Sequence, residues 1–487
     1  MKHLPWYWYL QVVSLEFVAL VLVIWWCVLQ AAPVLPDPDA FYHIGMAQHL
    51  WDFGLDATFN GLQPTTLGQH FTDQHFLLHL LLRPFVTWIG LAVGTKTFVV
   101  LLLCVVIGLF AYLLKQLGTS AWWVGAILLA TCNPWLFRLH LVKATPLALI
   151  LIWLALLAVQ KRSWLVLVIS FLYVWSHGGF VLLPIILAIW SISKTISTWH
   201  WNWRDYLPVG YSMVGICAAL LLQPGLPNNL LFYWEQLVQI GAVNYQHIIG
   251  VGGEWYPYDP GHLWAGHILL VVAVCIGLTV HIAQRRKWST AQLAFTGYVI
   301  FFTLLTFKSK RYVEYLSPML AGVAALYLHS LWTTSWQRWR ISAYLPLIAI
   351  WIVIIPVWLT GVTSLKADLA DGQALNNFSG VAQYLNQLPP DQVIAPSDWD
   401  DFPALWRGAP FQRYLIGLDP TFLYLMDAER YDAWKRLTLG ETISNTDLDR
   451  IAADYYVVAK DHRAMYQQLT ELGLQDVYSD VDAWVMR

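Results

Sequence analysis

Long apolar runs separated by short polar segments dominate the first three quarters of the chain. Runs of about 18 to 20 apolar residues are typical of helices that cross a lipid bilayer, and such runs recur from the N-terminus to residue 361. The pattern predicts an α-helical membrane bundle of about 11 transmembrane helices. The predicted spans are 10–32, 96–114, 119–133, 145–160, 163–177, 178–195, 206–223, 262–284, 288–307, 311–332 and 341–361.

The rest of the chain has a different pattern. The short apolar segments QVIAPS, RYLIGL and DYYVVA predict buried strands, and alternation of strands with helices is typical of an α/β domain. Helical spacing is present near 374–387, 420–437 and 461–473, and in the stretch TDLDRIAA before the last of these strands. We therefore expect a membrane domain over 1–361, with a long first outer loop at 33–95, and a soluble α/β domain over 362–487.

The segment 76–93 is apolar but does not fit the pattern of a span. It contains His79, Arg83 and Pro84, and a span at this point would move every later loop to the opposite side of the membrane. We expect an amphipathic element that lies on the outer surface of the bilayer.

The composition agrees with a membrane protein and excludes an ordinary soluble enzyme. Hydrophobic residues make up 58% of the chain and charged residues only 12%, whereas soluble domains carry roughly 25% charged residues. Residues 1–361 contain 18 basic and 11 acidic side chains, and residues 362–487 contain 10 and 19. This distribution gives no reason to expect a nucleic-acid partner, which would require a basic face on the soluble part.

The placement of the basic residues predicts the orientation in the membrane. Of the 18 basic residues in the membrane part, 11 fall in predicted loops on the side of the N-terminus. Cytoplasmic loops collect Lys and Arg, so we expect the N-terminus in the cytoplasm. An odd number of spans then places the soluble domain outside the cytoplasm.

Acidic residues at the outer membrane boundary are the first candidates for chemistry. Asp37 and Asp39 follow the first span in a Pro-Asp-Pro-Asp sequence, and His43 comes one helical turn later. A carboxylate here can deprotonate an acceptor or hold a divalent cation, Mg²⁺ or Mn²⁺, against a lipid phosphate. Asp73 and Glu254 share this predicted face, and Asp39, His43 and Asp73 are the candidate cation ligands. The alternative is that Asp37 or Asp39 only caps the next helix.

A set of basic residues is predicted on the same outer face, against the usual charge bias. It comprises Arg138, His140 and Lys143 in one short loop and Lys308, Lys310 and Arg311 before Tyr312. The candidates for chemistry among them are Arg138, Lys143 and Arg311. Arginine suits the bidentate binding of phosphate oxygens, so these residues are candidates for binding a lipid phosphate. The alternative is that each side chain extends to the lipid headgroups as an anchor.

The residues that carry these charges are similar to those of a known family. The sequence Asp-Ala-Phe-Tyr-His at 39–43 is similar to an Asp-Pro-Trp-Tyr-His stretch that begins the first outer loop of the GT-C class of membrane glycosyltransferases. Arg138 after an Asn-Pro pair, and Arg311 before Tyr312, resemble two arginines of the same class. With the order of its elements, the chain resembles this class, and within it the catalytic subunit of oligosaccharyltransferase.

The resemblance implies a reaction and roles for residues. The reaction is an inverting transfer of a sugar or an oligosaccharide from a polyprenyl-phosphate or polyprenyl-diphosphate donor to a protein, lipid or glycan acceptor outside the cytoplasm. Asp39 would be the base or a metal ligand, supported by Asp37 and Glu254. The leaving phosphate would be held by Arg311, Arg138 and Lys143.

Two departures from the family pattern change what we expect. The family's second acidic pair, which binds the metal, is replaced by Thr145-Pro146-Leu147, so we expect a divalent cation to be held weakly or not at all. The family's acceptor motif is matched only loosely around Asp398, Trp399 and Asp400. These three residues follow a predicted strand and either bind the acceptor or form a turn whose acids cap the next helix.

Two other classes of protein remain possible at this level. A lipid transporter or flippase needs charges in the middle of the membrane, but Glu16 is the only acid in the interior of a predicted span, since Glu314 falls at the outer end of 311–332. A non-catalytic assembly scaffold is the third hypothesis. The enzyme hypothesis predicts that Asp39, Glu254 and Arg311 converge on one outward-facing cavity.

Overall fold

The structure, a computed structural model, describes residues 6–338, 356 and 361–487. The described membrane part is helical, and each predicted span from 10–32 to 311–332 contains at least one helix. The predicted span 341–361 lies almost entirely outside the described residues. The helices are α1 Trp6–Leu29, α2 Asp39–Gln48, α3 Leu50–Phe53, α4 Phe76–Pro84, α5 Leu91–Gln116, α6 Trp122–Ala130, α7 Asn133–Leu139, α8 Thr145–Lys161, α9 Leu165–Val174, α10 Leu182–Thr198, α11 Leu207–Leu222, α12 Asn228–Trp234, α13 Pro260–Gly266, α14 Ile268–Ala283, α15 Thr290–Thr306 and α16 Val313–Arg338.

The predicted number of 11 spans is not confirmed by these helices. Within the described part of the chain, three are long and apolar enough to cross a membrane alone: Leu91–Gln116, Gly178–Thr198 and Trp203–Leu222. The pair α13 and α14, bent by 71°, makes a fourth if counted as one span. Breaks in the backbone account for part of the difference, because an apolar stretch of sequence can continue where the helix itself ends. The predicted span 119–133, for example, contains the short helix α6, and the Asn-Pro pair that follows begins the separate helix α7.

The apolar segment after the first outer loop forms two short helical pieces. Helix α4 is followed by the wide helical turn Phe85–Ile89, and Gly90, with φ of +105°, separates both from α5. The 14 residues of Phe76–Ile89 are fewer than the roughly 20 that a bilayer requires. They bury Leu78 and His79 and leave Trp88 exposed, as expected of an element at the membrane surface.

A short strand pair connects the first outer loop to the C-terminal domain. Strand β1, Val34–Leu35, pairs antiparallel with β2, Gln373–Ala374. The same two parts of the chain pack around Trp406, whose ring is fully buried and lies near Tyr42 and Phe59. These contacts fix the domain beside the acidic segment that follows the first span.

The C-terminal domain is built on a mixed five-stranded sheet, which agrees with the predicted α/β domain. The strand order is β4-β3-β5-β7-β6, with β3 parallel to β4 and β5 and the remaining pairs antiparallel. The segments QVIAPS and DYYVVA form strands, whereas only the first two residues of RYLIGL do. Pattern analysis did not predict the final hairpin. The strands are β3 Val393–Pro396, β4 Arg413–Tyr414, β5 Tyr455–Ala459, β6 Asp476–Ser479 and β7 Ala483–Met486.

Except for Phe402–Gly408, which the sequence pattern did not predict, helices of the C-terminal domain coincide with the predicted helical segments, including TDLDRIAA. They begin and end within a few residues of the positions that the sequence suggests. They are α17 Ser379–Leu385, α18 Phe402–Gly408, α19 Thr421–Met426, α20 Ala428–Thr438, α21 Asn445–Ile451 and α22 Arg463–Glu471. Helix α18 follows β3 and packs on α2, so the carboxyl end of β3 faces the start of the first outer loop.

Candidate active site

Charged residues that are distant in sequence meet at the ends of several helices. Asp39 begins α2, and Arg138 lies in the last turn of α7. Glu254 belongs to the short turn Gly253–Trp255, and Arg311 to the turn Lys310–Tyr312 that precedes α16. The polar residues lie at helix ends because the interior of each helix is apolar, so folding the bundle brings the ends together.

The ammonium group of Lys143 lies among three carboxylates. Its Nζ is 2.8 Å from Asp37 Oδ2, 3.2 Å from Asp39 Oδ2 and 3.1 Å from Glu254 Oε2. The side chain of Lys143 is only 14% exposed, so these contacts are shielded from water. The structure therefore places Lys143 as a counter-ion of the acidic residues, whereas the sequence grouped it with the phosphate-binding cations.

Glu254 is the centre of the charged cluster. Its Oε2 accepts a hydrogen bond of 2.6 Å from Arg138 Nη2, and its Oε1 is 3.8 Å from Arg311 Nη2. Burial alone would raise the pKa of Glu254, but Lys143, Arg138 and Arg311 together hold it well below its usual range. Glu254 is thus ionised at neutral pH and positions three cations.

The two arginines differ in how far their charge is neutralised. Arg138 also contacts Glu314, with 2.5 Å between Nε and Oε1, and Glu314 accepts a second hydrogen bond from Thr145 Oγ1 at 2.6 Å. Arg311 lies 4.3 Å over the ring of Trp255, with its nearest carboxylate at 3.8 Å. Since Arg138 has two close carboxylate partners, Arg311 is the better placed of the two to bind an added anion. Sequence reasoning missed Glu314, although it lies one turn after Arg311.

Asp37 and Asp39 have separate structural roles. Asp37 Oδ1 accepts a hydrogen bond from the backbone N–H of Asp39 at 2.9 Å, so Asp37 does contribute to the helix cap that the sequence offered as an alternative. The carboxylate of Asp39 is about one third exposed and has Lys143 as its cationic neighbour. Burial, with the charges of Asp37 and Glu254, raises the pKa of Asp39 to about 6 against the opposing effect of Lys143.

The three candidate cation ligands do not surround one point. Asp73 Oδ2 lies 2.6 Å from His79 Nδ1, and His79 Nε2 lies 2.8 Å from His43 Nδ1. A whole imidazole ring therefore separates Asp73 from His43, while Asp39 contacts Lys143. Among the residues that the structure describes, no group of three or more His, Cys, Asp or Glu side chains is arranged to hold a metal ion. These donors do not fit Mg²⁺ or Mn²⁺, which need several oxygen ligands around one centre.

The acidic loop of the C-terminal domain lies over the same region. Asp398 accepts a hydrogen bond from the N–H of Asp400, and Asp401 accepts from Ser397 Oγ and the N–H of Asp398. Capping therefore accounts for Asp398 and Asp401. Burial raises the pKa of Asp400 to about 8, and the charges of Asp398 and Asp39 add to this rise.

Trp399, the third candidate acceptor residue, also faces this region. Its side chain is half-buried. A Cβ atom added to Gly252 would lie 3.6 Å from its ring, so Trp399 lies next to the turn that carries Glu254. The structure thus brings the candidate acceptor residues close to the charged cluster, as the position after β3 suggested.

A cavity of about 630 Å³ adjoins the charged cluster at Arg138 and Glu254 but does not have Arg311 in its wall. Two neighbouring cavities share Arg311. The first, of about 130 Å³, we call the polar cavity, and Asp39, Glu254 and Arg311 all line it, as the sequence predicted. The second, of about 300 Å³, we call the mixed cavity, because apolar side chains form part of its wall. The mixed cavity is lined by His75, His177, Lys308 and Arg311 and by the apolar Val181, Leu182, Leu237 and Leu305. Arg311 and His75 belong to both cavities.

Comparison with known proteins relates this architecture to solved structures. The sequence matches no protein-family model and no curated protein. The structure is similar to the Archaeoglobus fulgidus oligosaccharyltransferase, with a TM-score of 0.64 and 11% identity over 97% of this chain and 74% of that one. It is also similar to ArnT from Cupriavidus metallidurans bound to undecaprenyl phosphate, with a TM-score of 0.62 and 15% identity over 98% and 97%.

A third similar structure is the arabinofuranosyltransferase AftD from mycobacteria. Its TM-score is 0.59, with 13% identity over 96% of this chain and 39% of that one. All three are GT-C glycosyltransferases. The resemblance inferred from residues 39–43, Arg138 and Arg311 is confirmed at the level of the fold. The chain has a GT-C-like fold, a helical membrane bundle with a C-terminal domain, and it resembles oligosaccharyltransferase.

Proposed function

We propose that this chain is a multi-pass membrane glycosyltransferase, with its N-terminus in the cytoplasm and its C-terminal domain outside. It moves a sugar or an oligosaccharide from a polyprenyl-phosphate or polyprenyl-diphosphate donor to a protein, lipid or glycan acceptor. The observation that carries the proposal is the position of Arg311, a weakly neutralised cation between a polar cavity and a cavity with an apolar wall. Solved proteins with this fold have undecaprenyl phosphate or dolichol-phosphate bound.

The donor lies across the two cavities in this proposal. Its lipid follows the apolar wall of the mixed cavity, its phosphate contacts Arg311, and its sugar occupies the polar cavity. Arg138 and Lys143 contact Glu254 and offset its negative charge near Arg311. Negative charge grows on the phosphate as the bond to the sugar breaks, and fixed cations at that point lower the barrier.

Asp39 is the proposed base. It takes the proton of the acceptor as the acceptor attacks the anomeric carbon, and the electrons of the broken carbon–oxygen bond remain on the leaving phosphate. A pKa of about 6 suits this role, since a base is most effective when its pKa is near the working pH. One displacement on the face opposite the phosphate inverts the configuration, and no divalent cation takes part.

The acceptor enters from the side of the C-terminal domain. Asp400 is largely protonated at neutral pH because its pKa is about 8, so its carboxyl group can donate a hydrogen bond to the acceptor. Trp399 offers an indole surface beside the turn of Glu254. Together with Asp398, which holds the loop in shape, they form the proposed acceptor-binding group.

Binding of undecaprenyl phosphate to the purified protein in nanodiscs tests the donor site. Native mass spectrometry should detect one bound lipid, and Arg311→Ala should weaken binding about tenfold, which equals the loss of about 1.4 kcal/mol. Lys310→Ala, next in sequence and exposed, is the matched control and should bind normally. Equal binding by both variants would contradict the proposed donor site.

Transfer itself is tested in cells that lack the gene. The glycan product that disappears in the deletion strain should return with the wild-type gene and not with Asp39→Asn, while Asp39→Asn still binds the lipid and folds normally. Restoration of the product by Asp39→Asn would instead favour the assembly scaffold.

A further inference from the structure

We propose that three histidines with fixed tautomers recognise the donor: His43 and His75 accept hydrogen bonds from hydroxyl groups of the sugar, and His177 donates one to the phosphate. This inference rests on the proposed function. It gives all three side chains a role in binding the donor. For His43, this role replaces the metal-ligand role that the sequence suggested.

The tautomer of His43 follows from a chain of hydrogen bonds. The Asp73 carboxylate can only accept, so His79 donates to it through Nδ1, over 2.6 Å. In this proposal His79 carries its one ring proton at Nδ1, so its Nε2 accepts, and His43 donates to it through Nδ1, over 2.8 Å. The remaining nitrogen, Nε2 of His43, carries a lone pair, and His43 lines the polar cavity.

The tautomer of His75 is fixed by a backbone group. Its Nδ1 lies 3.2 Å from the carbonyl oxygen of Ser176, which can only accept. The ring therefore donates through Nδ1 and presents a lone pair at Nε2. Burial, with the charge of neighbouring histidines, lowers the pKa of both His75 and His43 well below the usual range, so both rings stay neutral and both Nε2 atoms remain acceptors.

His177 has the opposite arrangement. Its Nδ1 accepts a hydrogen bond of 2.7 Å from the backbone N–H of Gly179, so the proton of the ring is on Nε2. His177 lines the mixed cavity with Arg311. A donor beside a guanidinium is suited to a phosphate oxygen, and acceptors suit the hydroxyl groups of a sugar.

The order of these groups along the two cavities matches the order of the sugar, the phosphate and the lipid in a lipid-linked sugar. The polar cavity has His43 and His75 in its wall, Arg311 and His75 border both cavities, and His177 lies in the mixed cavity with the apolar side chains. A site that offers buried acceptors discriminates against a ligand without matching donors, because the acceptors then lose water without a new partner. The histidines therefore contribute to sugar selectivity.

Spectroscopy of the imidazole nitrogens tests the tautomers directly. Protein labelled with ¹⁵N-histidine is studied by solid-state NMR in lipid bilayers at neutral pH, and His43→Gln, His75→Gln and His177→Gln assign the signals. We expect His43 and His75 with protonated Nδ1 and bare Nε2, and His177 with the reverse. A protonated Nε2 on His43 or His75 would overturn the proposal.

Binding of two probes separates sugar recognition from phosphate recognition. The probes are undecaprenyl phosphate and the same lipid phosphate carrying one hexose. His43→Leu and His75→Leu should each weaken binding of the hexose lipid about tenfold and leave undecaprenyl phosphate unchanged, whereas His177→Leu should weaken both. His49→Leu, at the end of the helix that carries His43, is the control.

The outcomes distinguish this proposal from the function on which it rests. Failure of the wild-type protein to bind undecaprenyl phosphate contradicts the proposed function. If the wild-type protein binds that lipid normally, but His43→Leu loses the same affinity for both probes or loses affinity for neither, only the sugar-binding role is overturned. His43→Gln, which keeps an acceptor at the position of Nε2, should recover part of the affinity for the hexose lipid if His43→Leu folds poorly or binds weakly.

Discussion

Removing the charge of Lys143 should disturb both the stability and the chemistry of the cluster. The ammonium lies within 2.8 to 3.2 Å of three carboxylates and is 14% exposed. Lys143→Met leaves these carboxylates facing one another without a counter-ion. Breaking a buried ion pair by removing one partner costs about 3 to 5 kcal/mol, so the midpoint of thermal unfolding should fall by several degrees.

The same variant should change the pH dependence of transfer. If Asp39 is the base, wild-type activity rises with pH through about 6, where its carboxyl group ionises. Lys143 lowers the pKa of Asp39, so Lys143→Met should move the rising limb to higher pH. A shift of about one pH unit corresponds to about 1.4 kcal/mol of lost interaction. The assay is the rate of transfer from pH 5 to 9 at saturating donor.

Two controls make the result interpretable. Lys143→Arg keeps the charge and should keep most of the stability. Lys194→Met removes an ammonium that is 46% exposed and paired only with Asp205, and exposed pairs contribute about 0 to 1 kcal/mol. Equal unfolding midpoints for Lys143→Met and Lys194→Met, with an unchanged pH profile, would refute the account of the cluster.

Four further predictions concern the acidic loop, the domain contact and the cation. Folding raises the pKa of Asp400 to about 8 and that of Asp401 to about 7, compared with about 3.9 in an unfolded chain. Because the folded protein then binds protons more tightly, these groups stabilise it fully below about pH 4. This contribution to the free energy of unfolding is lost as the pH rises through 7 and 8. The unfolding midpoint should therefore fall between pH 5 and 8.5, and less so in Asp400→Asn; an identical fall in both proteins would count against this cause. Trp399→Ala should weaken use of the acceptor while leaving undecaprenyl phosphate binding and the unfolding midpoint nearly unchanged, and a large drop in the midpoint would show that the ring is structural. Trp406→Ala, which empties a fully buried site, should cost about 3 to 5 kcal/mol and increase proteolysis between the domains. Transfer should persist in EDTA, and a loss restored by Mg²⁺ or Mn²⁺ would reveal cation ligands that the geometry does not suggest.

The convergence of the charged residues could be predicted from the sequence. Asp39 and Arg311 each adjoin an apolar segment, and Glu254 lies in the polar loop between two of them. A bundle that buries its apolar helices therefore leaves all three at its polar end. The pattern of QVIAPS likewise predicts a buried strand, since four apolar or small residues between polar ones leave few alternatives. In these cases one physical constraint, burial, determines the outcome.

Pairwise contacts could not be predicted in the same way. Nothing in the sequence shows that Lys143 joins carboxylates rather than a phosphate, because both partners have the same charge. His79 lies within an apolar helix, where a structural histidine and one that orients His43 look alike. The pair β1 and β2 has only two residues in each strand, too few to show a period, although it fixes the C-terminal domain over the site.

The central claim is that a lipid phosphate binds at Arg311 between the two cavities. The most direct measurement is a cryo-electron-microscopy structure of the protein in nanodiscs with undecaprenyl phosphate. The account predicts phosphate density within hydrogen-bonding distance of Arg311 and His177, with the lipid along Val181, Leu182 and Leu305. Phosphate density at another position, with the mixed cavity left free of lipid, would contradict it.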